Sequence, residues 1–386
     1  MRKETIAVRE RLIDETSSHS APLYMTSSYT FSNADEMRAK FAGEEEGNIY
    51  SRYSNPNVSE LISKVVKMEG AEAGWATASG MAAIFSTFGA LLGSGDHIVA
   101  CRSVFGSTHK LFSEIFPKWK INHTYVDAED LDGFAKAINA HTKILYIETP
   151  SNPGLAILDM AFLGALCKSK GILFIVDNCF ATPLIQQPIQ FGADVVIHSA
   201  TKFMDGQGRS LGGVIVGKEN IIDKIGAFSR HSGPCLSPFN AWILSKSLET
   251  LDVRLERHCN QALEVANRLE ALSDKINWVK YPHLPSHPQY ELAKKQMKRG
   301  GGLISFEIKN GLEGGKAFLN RLQLFSLTAN LGDTRSIATH PASTTHAKLT
   351  PEERQQVGIT DGLIRLSIGL ENVEDIWEDI AKALGA

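Results

Sequence analysis

The chain has 386 residues, more than a single hydrophobic core usually serves, so two domains are expected. A formal charge of −3 at pH 7 gives no general basic field for nucleic acid, and no apolar run of about twenty residues exists to span a bilayer, so neither is an expected partner. The five cysteines, an odd number without Cys-x-x-Cys spacing, argue against a disulfide framework, and the charged start Met1-Arg2-Lys3-Glu4 lacks an apolar signal segment, so a cytoplasmic protein with reduced thiols is expected.

Residues 1–55 are polar and turn-rich, broken by Glu44-Glu45-Glu46, and lack the periodicity of a self-sufficient core; they read as an arm that packs on something else. Over 56–245, strand-like runs at His97 to Cys101, Lys143 to Ile147, Leu173 to Val176 and Val195 to His198 alternate with helical segments. That rhythm predicts a mostly parallel sheet covered by helices on both faces, an α/β architecture. A long helical stretch from Pro238 to about Ser273 follows. The pattern over 246–386 then thins to strands at Leu303 to Ile308 and Leu363 to Ile368 and a last helix near Val373 to Leu384, a smaller α/β domain.

Two of the apolar runs end in chemistry. Ile172 to Val176 closes on Asp177, and Val195 to His198 closes on Ser199-Ala200-Thr201-Lys202. Taken alone, the lysine is an ordinary solvated loop residue and the aspartate a turn former. In an open parallel sheet, however, both fall outside the carboxyl ends of strands, where ligands bind. Together they describe a pyridoxal phosphate (PLP) site: a lysine for a Schiff base, a carboxylate for the pyridine nitrogen, hydroxyls for the phosphate. A second phosphate anchor is Ser79-Gly80-Met81, a turn opening an Ala-rich helix with free amides, though an ordinary capped helix reads the same way. Gly206-Gln207-Gly208-Arg209-Ser210-Leu211-Gly212-Gly213 leads into Val214-Ile215-Val216 rather than a helix, so it fails as a dinucleotide fingerprint and reads as a flexible or tightly turned loop beside Lys202.

These residues resemble the Cys/Met metabolism PLP enzymes, the cystathionine γ-synthase-like group of fold type I (aspartate aminotransferase-like). The resemblance runs from about Pro22 to Ile380 through Tyr50-Ser51-Arg52, Asn55-Pro56, Ser79-Gly80-Met81, Glu148-Thr149-Pro150-Ser151-Asn152-Pro153, Asp177-Asn178, Ser199-Ala200-Thr201-Lys202 and Arg365-Leu366-Ser367. It implies that Lys202 is the Schiff-base lysine and proton shuttle, and that Asp177 keeps the ring nitrogen protonated. It implies further that the Gly80 and Met81 amides and the Ser199 and Thr201 hydroxyls hold the phosphate, and that Asn152 lies near the 3′ oxygen. Arg365 would clamp the substrate carboxylate, with Asn330 beside it. Tyr50 and Arg52 would reach the phosphate of a neighbouring subunit, in a homotetramer of dimers with shared sites.

Three departures narrow the reaction. Phe105 stands where the synthases and lyases carry a ring-stacking tyrosine, Ser107 where methionine γ-lyases carry a cysteine, and Ala329-Asn330-Leu331-Gly332 where a serine usually precedes Leu-Gly. With Asp205-Gly206-Gln207-Gly208-Arg209, these look like the O-succinylhomoserine sulfhydrylases. The implied reaction is γ-replacement by sulfide. O-Acetylhomoserine sulfhydrylase, cystathionine γ-synthase and the γ-lyases are the neighbouring activities, and an inactive PLP-fold interaction protein is the alternative of another class. His340 and His346 are six apart in a Pro-containing loop without a third ligand, so no metal is expected.

Overall fold

The computed structural model describes residues 1–11, 17–345, 347, 350–351, 354 and 358–385. Seven strands form the larger sheet: β1 (Ala73–Thr77), β2 (His97–Cys101), β3 (Asn122–Val126), β4 (Thr142–Glu148), β5 (Leu173–Asp177), β6 (Val195–Ser199) and β7 (Gly213–Gly217). They lie in the order β1-β7-β6-β5-β4-β2-β3, parallel from β6 through β3, with β7 antiparallel to both of its neighbours. Parallel strands are covered on both faces and therefore read as unbroken apolar runs. In β6, Val196 joins the core on one face while Val195 and Ile197 join the core on the other, and all three are fully buried.

Helix α1 (Lys3–Arg9) buries Ile6 and Ala7 in the core of its own chain and packs on α3 (Pro56–Glu69), while α2 (Ala34–Ala42) between them buries no side chain. Helix α4 (Gly80–Leu91) is capped by Ser79, whose Oγ accepts from the Ala82 amide at 3.1 Å. Its first residue has no room for a side chain: a Cβ on Gly80 would stand 2.7 Å from Ser199 Cβ. The start of α4 is thereby pressed against the end of β6.

The smaller sheet comprises β8 (Ile276–Lys280), β9 (Leu303–Ile308), β10 (Ser326–Leu327), β11 (Ile337–Thr339) and β12 (Leu363–Ser367), in the order β10-β11-β12-β9-β8. It is antiparallel except between β10 and β11, and the helices Leu251–Glu270, Gly311–Arg321 and Val373–Leu384 pack their apolar stripes on it. The stretch expected to be helical from Pro238 is two helices, Pro238–Leu248 and Leu251–Glu270. The break has a partner distant in sequence. The buried Arg254 guanidinium donates to Ser247 O, Phe203 O and Met204 O, tying the broken turn to the segment that follows Lys202.

The glycine-rich loop is tightly turned. Gly206 and Gly208 adopt φ of 70° and 66°, and buried Asp205 accepts from the Arg209 amide and pairs with its guanidinium. The smaller sheet's loop meets it there, with the Thr334 amide donating to Gly206 O at 2.8 Å.

Candidate active site

The register sets Glu148 beside Asp177 and Asp177 beside Ile197, so the carboxyl ends of β4, β5 and β6 come level. Lys202 follows in the turn after β6, half-buried, and its Nζ donates to Asn330 Oδ1 at 2.7 Å. Burial pushes the Lys202 amine below its ordinary pKa, and the Arg365 charge adds to that. Thr201 Oγ1 accepts from the Gly212 amide at 3.2 Å. Ser199 stands against Gly80, and the first amides of α4, at Gly80 and Met81, have no intrahelical acceptor. The Ser199 hydroxyl and a helix start thus meet within a turn of the lysine, and the free amides and the dipole there suit an anion.

Asp177 is 7% exposed, and no cation among the described residues pairs with it. Its Oδ1 accepts from the Cys179 amide at 3.0 Å, and Tyr146 OH lies 3.4 Å from Oδ2. Burial raises its pKa from the ordinary value. Adjacent Glu148, also buried, is pushed up farther by burial and then by Asp177; its Oε2 accepts from the Phe105 amide at 2.8 Å. The Phe105 ring is 45% exposed at the start of α5 (Gly106–Lys110).

Arg365, on β12, is 6% exposed, and no carboxylate among the described residues forms an ion pair with it. Nη1 donates to Asn152 Oδ1 at 2.8 Å and Nη2 to Asn330 O at 3.2 Å. Burial lowers its pKa to about 10, so the guanidinium remains charged at neutral pH. Asn330 therefore joins the lysine through its side chain and the arginine through its backbone. One residue thus ties the amine and the guanidinium to each other.

Lys202, Asp177, Ser199, Thr201, Gly80, Met81, Asn152, Asn330, Arg365 and Phe105 share this end of the sheet. Tyr50 and Arg52 stand apart in the single chain: Arg52 Nη1 donates to Arg230 O, and its guanidinium lies 5.4 Å from the Tyr50 ring centroid and 4.8 Å from that of Tyr53. Tyr146 and Cys179 at Asp177, and the contact of Glu148 with Phe105, were not assigned from sequence, because they lie inside apolar or motif segments that give no separate signal. His340 is engaged at both ring nitrogens, with Ser343 Oγ and Asp361 O; His346 lies outside the described residues. A buried carboxylate without a cation, an anion cradle and a desolvated lysine are together the donor set that pyridoxal phosphate requires.

The family model for the Cys/Met metabolism PLP-dependent enzymes matches residues 4–385. An O-succinylhomoserine sulfhydrylase of Pseudomonas aeruginosa is 46% identical, with 99% of this chain and 95% of that protein aligned. An L-methionine gamma-lyase of Fusobacterium nucleatum is 43% identical over 94% of this chain and 92% of its own. Among solved structures, a putative O-acetylhomoserine (thiol)-lyase of Campylobacter jejuni superposes with a TM-score of 0.94 at 37% identity, covering all of both chains, and carries a pyridoxyl-lysine-phosphate.

Proposed function

This chain belongs to the Cys/Met metabolism PLP-dependent enzyme family, and from that premise we propose that it carries out γ-replacement on O-succinylhomoserine, exchanging succinate for sulfide to give homocysteine. The observation that carries the reading is that Lys202 Nζ and the Arg365 guanidinium are both fastened to Asn330. An α-amino acid offers an amine and a carboxylate to those two groups at once.

Bound pyridoxal phosphate supplies an electron sink for charge developing at the substrate's α-carbon. The chain's own groups do the rest. Asp177, buried and without a cation partner among the described residues, would take the ring nitrogen's positive charge, and the Ser199 and Thr201 hydroxyls with the Gly80 and Met81 amides would take the phosphate. Arg365 grips the α-carboxylate with its planar fork and, held by Asn152 and Asn330, fixes the amino acid's orientation. Lys202, whose amine is biased toward the neutral form by burial, moves the proton at the α-carbon. Phe105 offers a face for stacking and no phenol to exchange a proton.

Tyr50 and Arg52, apart from this cluster in one chain, serve a neighbouring subunit's phosphate in a cytoplasmic homotetramer built from dimers. Residues 1–55, anchored to their own chain by α1, then act as the arm that joins subunits, 56–245 as the cofactor domain and 246–386 as the smaller domain. The test crosses O-succinylhomoserine and O-acetylhomoserine with sulfide and cysteine and identifies the products; homocysteine and succinate from the succinyl ester are expected.

A further inference from the structure

Glu148 is a buried carboxyl beside the site that none of these steps uses. It closes β4 level with Asp177 on β5, is 4% exposed, and forms no ion pair among the described residues. Its Oε2 accepts from the amide of Phe105, the residue that opens α5. The charged and titratable groups around it are Asp177 on β5, Tyr146 on β4, Cys101 on β2, Cys179 after β5 and Arg365 on β12. Arg365 is the one cation of that set, and its donors are already turned to Asn152 and Asn330.

Two carboxyls at neighbouring strand ends in a water-poor site do not both ionise. They are unequal competitors for the charge. Asp177 has the Cys179 amide and, with cofactor bound, the ring N–H, whereas Glu148 has a single neutral donor, the Phe105 amide. We propose that Glu148 is a positioning residue: as an uncharged acid it pins the Phe105 turn over the cofactor ring and leaves Asp177 the sole ionised carboxylate beneath it. The arrangement also spares Arg365 an internal anion that would compete with the substrate carboxylate. This inference rests on the assignment of Phe105 and Asp177 to the cofactor, so its test reads cofactor rather than substrate.

Glu148→Gln keeps an acceptor oxygen for Phe105 and removes the ability to ionise, while Glu148→Leu keeps the bulk and removes the acceptor. The readouts are the pyridoxal phosphate dissociation constant, from the visible band, and the pH at which that band titrates; thermal unfolding checks that each variant is folded. Gln is expected to bind cofactor like wild type with an unmoved titration, and Leu to bind about tenfold more weakly, the scale of one lost hydrogen bond. Should Leu fail to fold, Glu148→Asp, which withdraws the carboxyl from Phe105 by one methylene, is expected to weaken binding several-fold. A Leu or Asp variant that holds cofactor like wild type overturns the positioning role. A Gln titration moved to lower pH by half a unit or more overturns the uncharged state, because removing a nearby anion disfavours the protonated lysine–cofactor linkage. If Lys202→Ala keeps the visible band, the site assignment itself fails, whatever Glu148 does.

Discussion

Gly80→Ala tests the cofactor cradle with a single methyl group. The new Cβ would lie 2.7 Å from Ser199 Cβ, 2.8 Å from its Oγ and 3.1 Å from its Cα, whereas carbon atoms settle at about 3.5–4.0 Å. The two segments must part by close to an ångström. Ser199 is the last residue of β6, in register with Gly213 of β7, so the strand is the stiffer partner and the first turn of α4 moves. That displaces the Gly80 and Met81 amides. Overpacking of this kind costs about 1–3 kcal/mol, so if most of it falls on the bound cradle the dissociation constant rises about 5- to 150-fold. Titration of apoenzyme with pyridoxal phosphate measures it. Gly93→Ala, just past the other end of the same helix, where a Cβ meets only Asp96 Oδ2 at 3.7 Å, is the control and is expected to bind normally. Wild-type affinity in Gly80→Ala would refute the claim that the start of α4 holds the phosphate.

Lys202→Ala is expected to lose turnover and the cofactor's visible band while remaining folded by circular dichroism; turnover at the wild-type rate would contradict its role. Arg52→Ala should retain cofactor poorly, and mixed with Lys202→Ala should recover partial activity in hybrid oligomers; hybrids that form yet stay inactive at saturating cofactor count against shared sites. Phe105→Tyr restores a phenol able to take the incoming amine's proton, so kcat/KM should shift to lower pH and 2-oxobutanoate should rise relative to homocysteine, measured as separate products over a pH series. His258 and His287 are buried with pKa values lowered to about 4, from an unfolded value near 6.5. Between those values the unfolded chain binds protons that the folded one does not, so stability is full above about 6.5 and falls as pH drops toward 4, by ~1–3 kcal/mol per histidine. Urea midpoints at pH 7 and pH 5 check this, and His258→Gln should flatten the difference.

The strand ends that carry Asp177 and Ser199 to Lys202 were legible because each is an unbroken apolar run closed by polar residues, the signature of a strand buried on both faces. The cap at Ser79 was legible for a similar reason, a hydroxyl and a glycine opening an Ala-rich run. What could not be read was whatever depends on distant segments meeting. Asn152, Asn330 and Arg365 become one cluster only when the smaller sheet docks on the larger. The break between Leu248 and Leu251 is capped by Arg254 together with carbonyls at Phe203 and Met204, about fifty residues upstream, so local periodicity runs straight through it. Glu148 looks from sequence like the first letter of a motif; only the pairing of β4 with β5 sets it beside Asp177. Residues 3–9 look like part of an arm, yet Ile6 and Ala7 complete the core of their own chain.

The central claim is a choice of substrate and fate, and a ranking of kcat/KM tests it most directly. Purified enzyme is assayed with O-succinylhomoserine or O-acetylhomoserine, each against sulfide and cysteine, and with methionine alone, while homocysteine, cystathionine, succinate and 2-oxobutanoate are quantified separately. The largest value is expected for O-succinylhomoserine with sulfide, with homocysteine and succinate formed in equal amounts. A larger value for the acetyl ester, for cysteine as the sulfur donor, or for 2-oxobutanoate release from methionine would contradict the account.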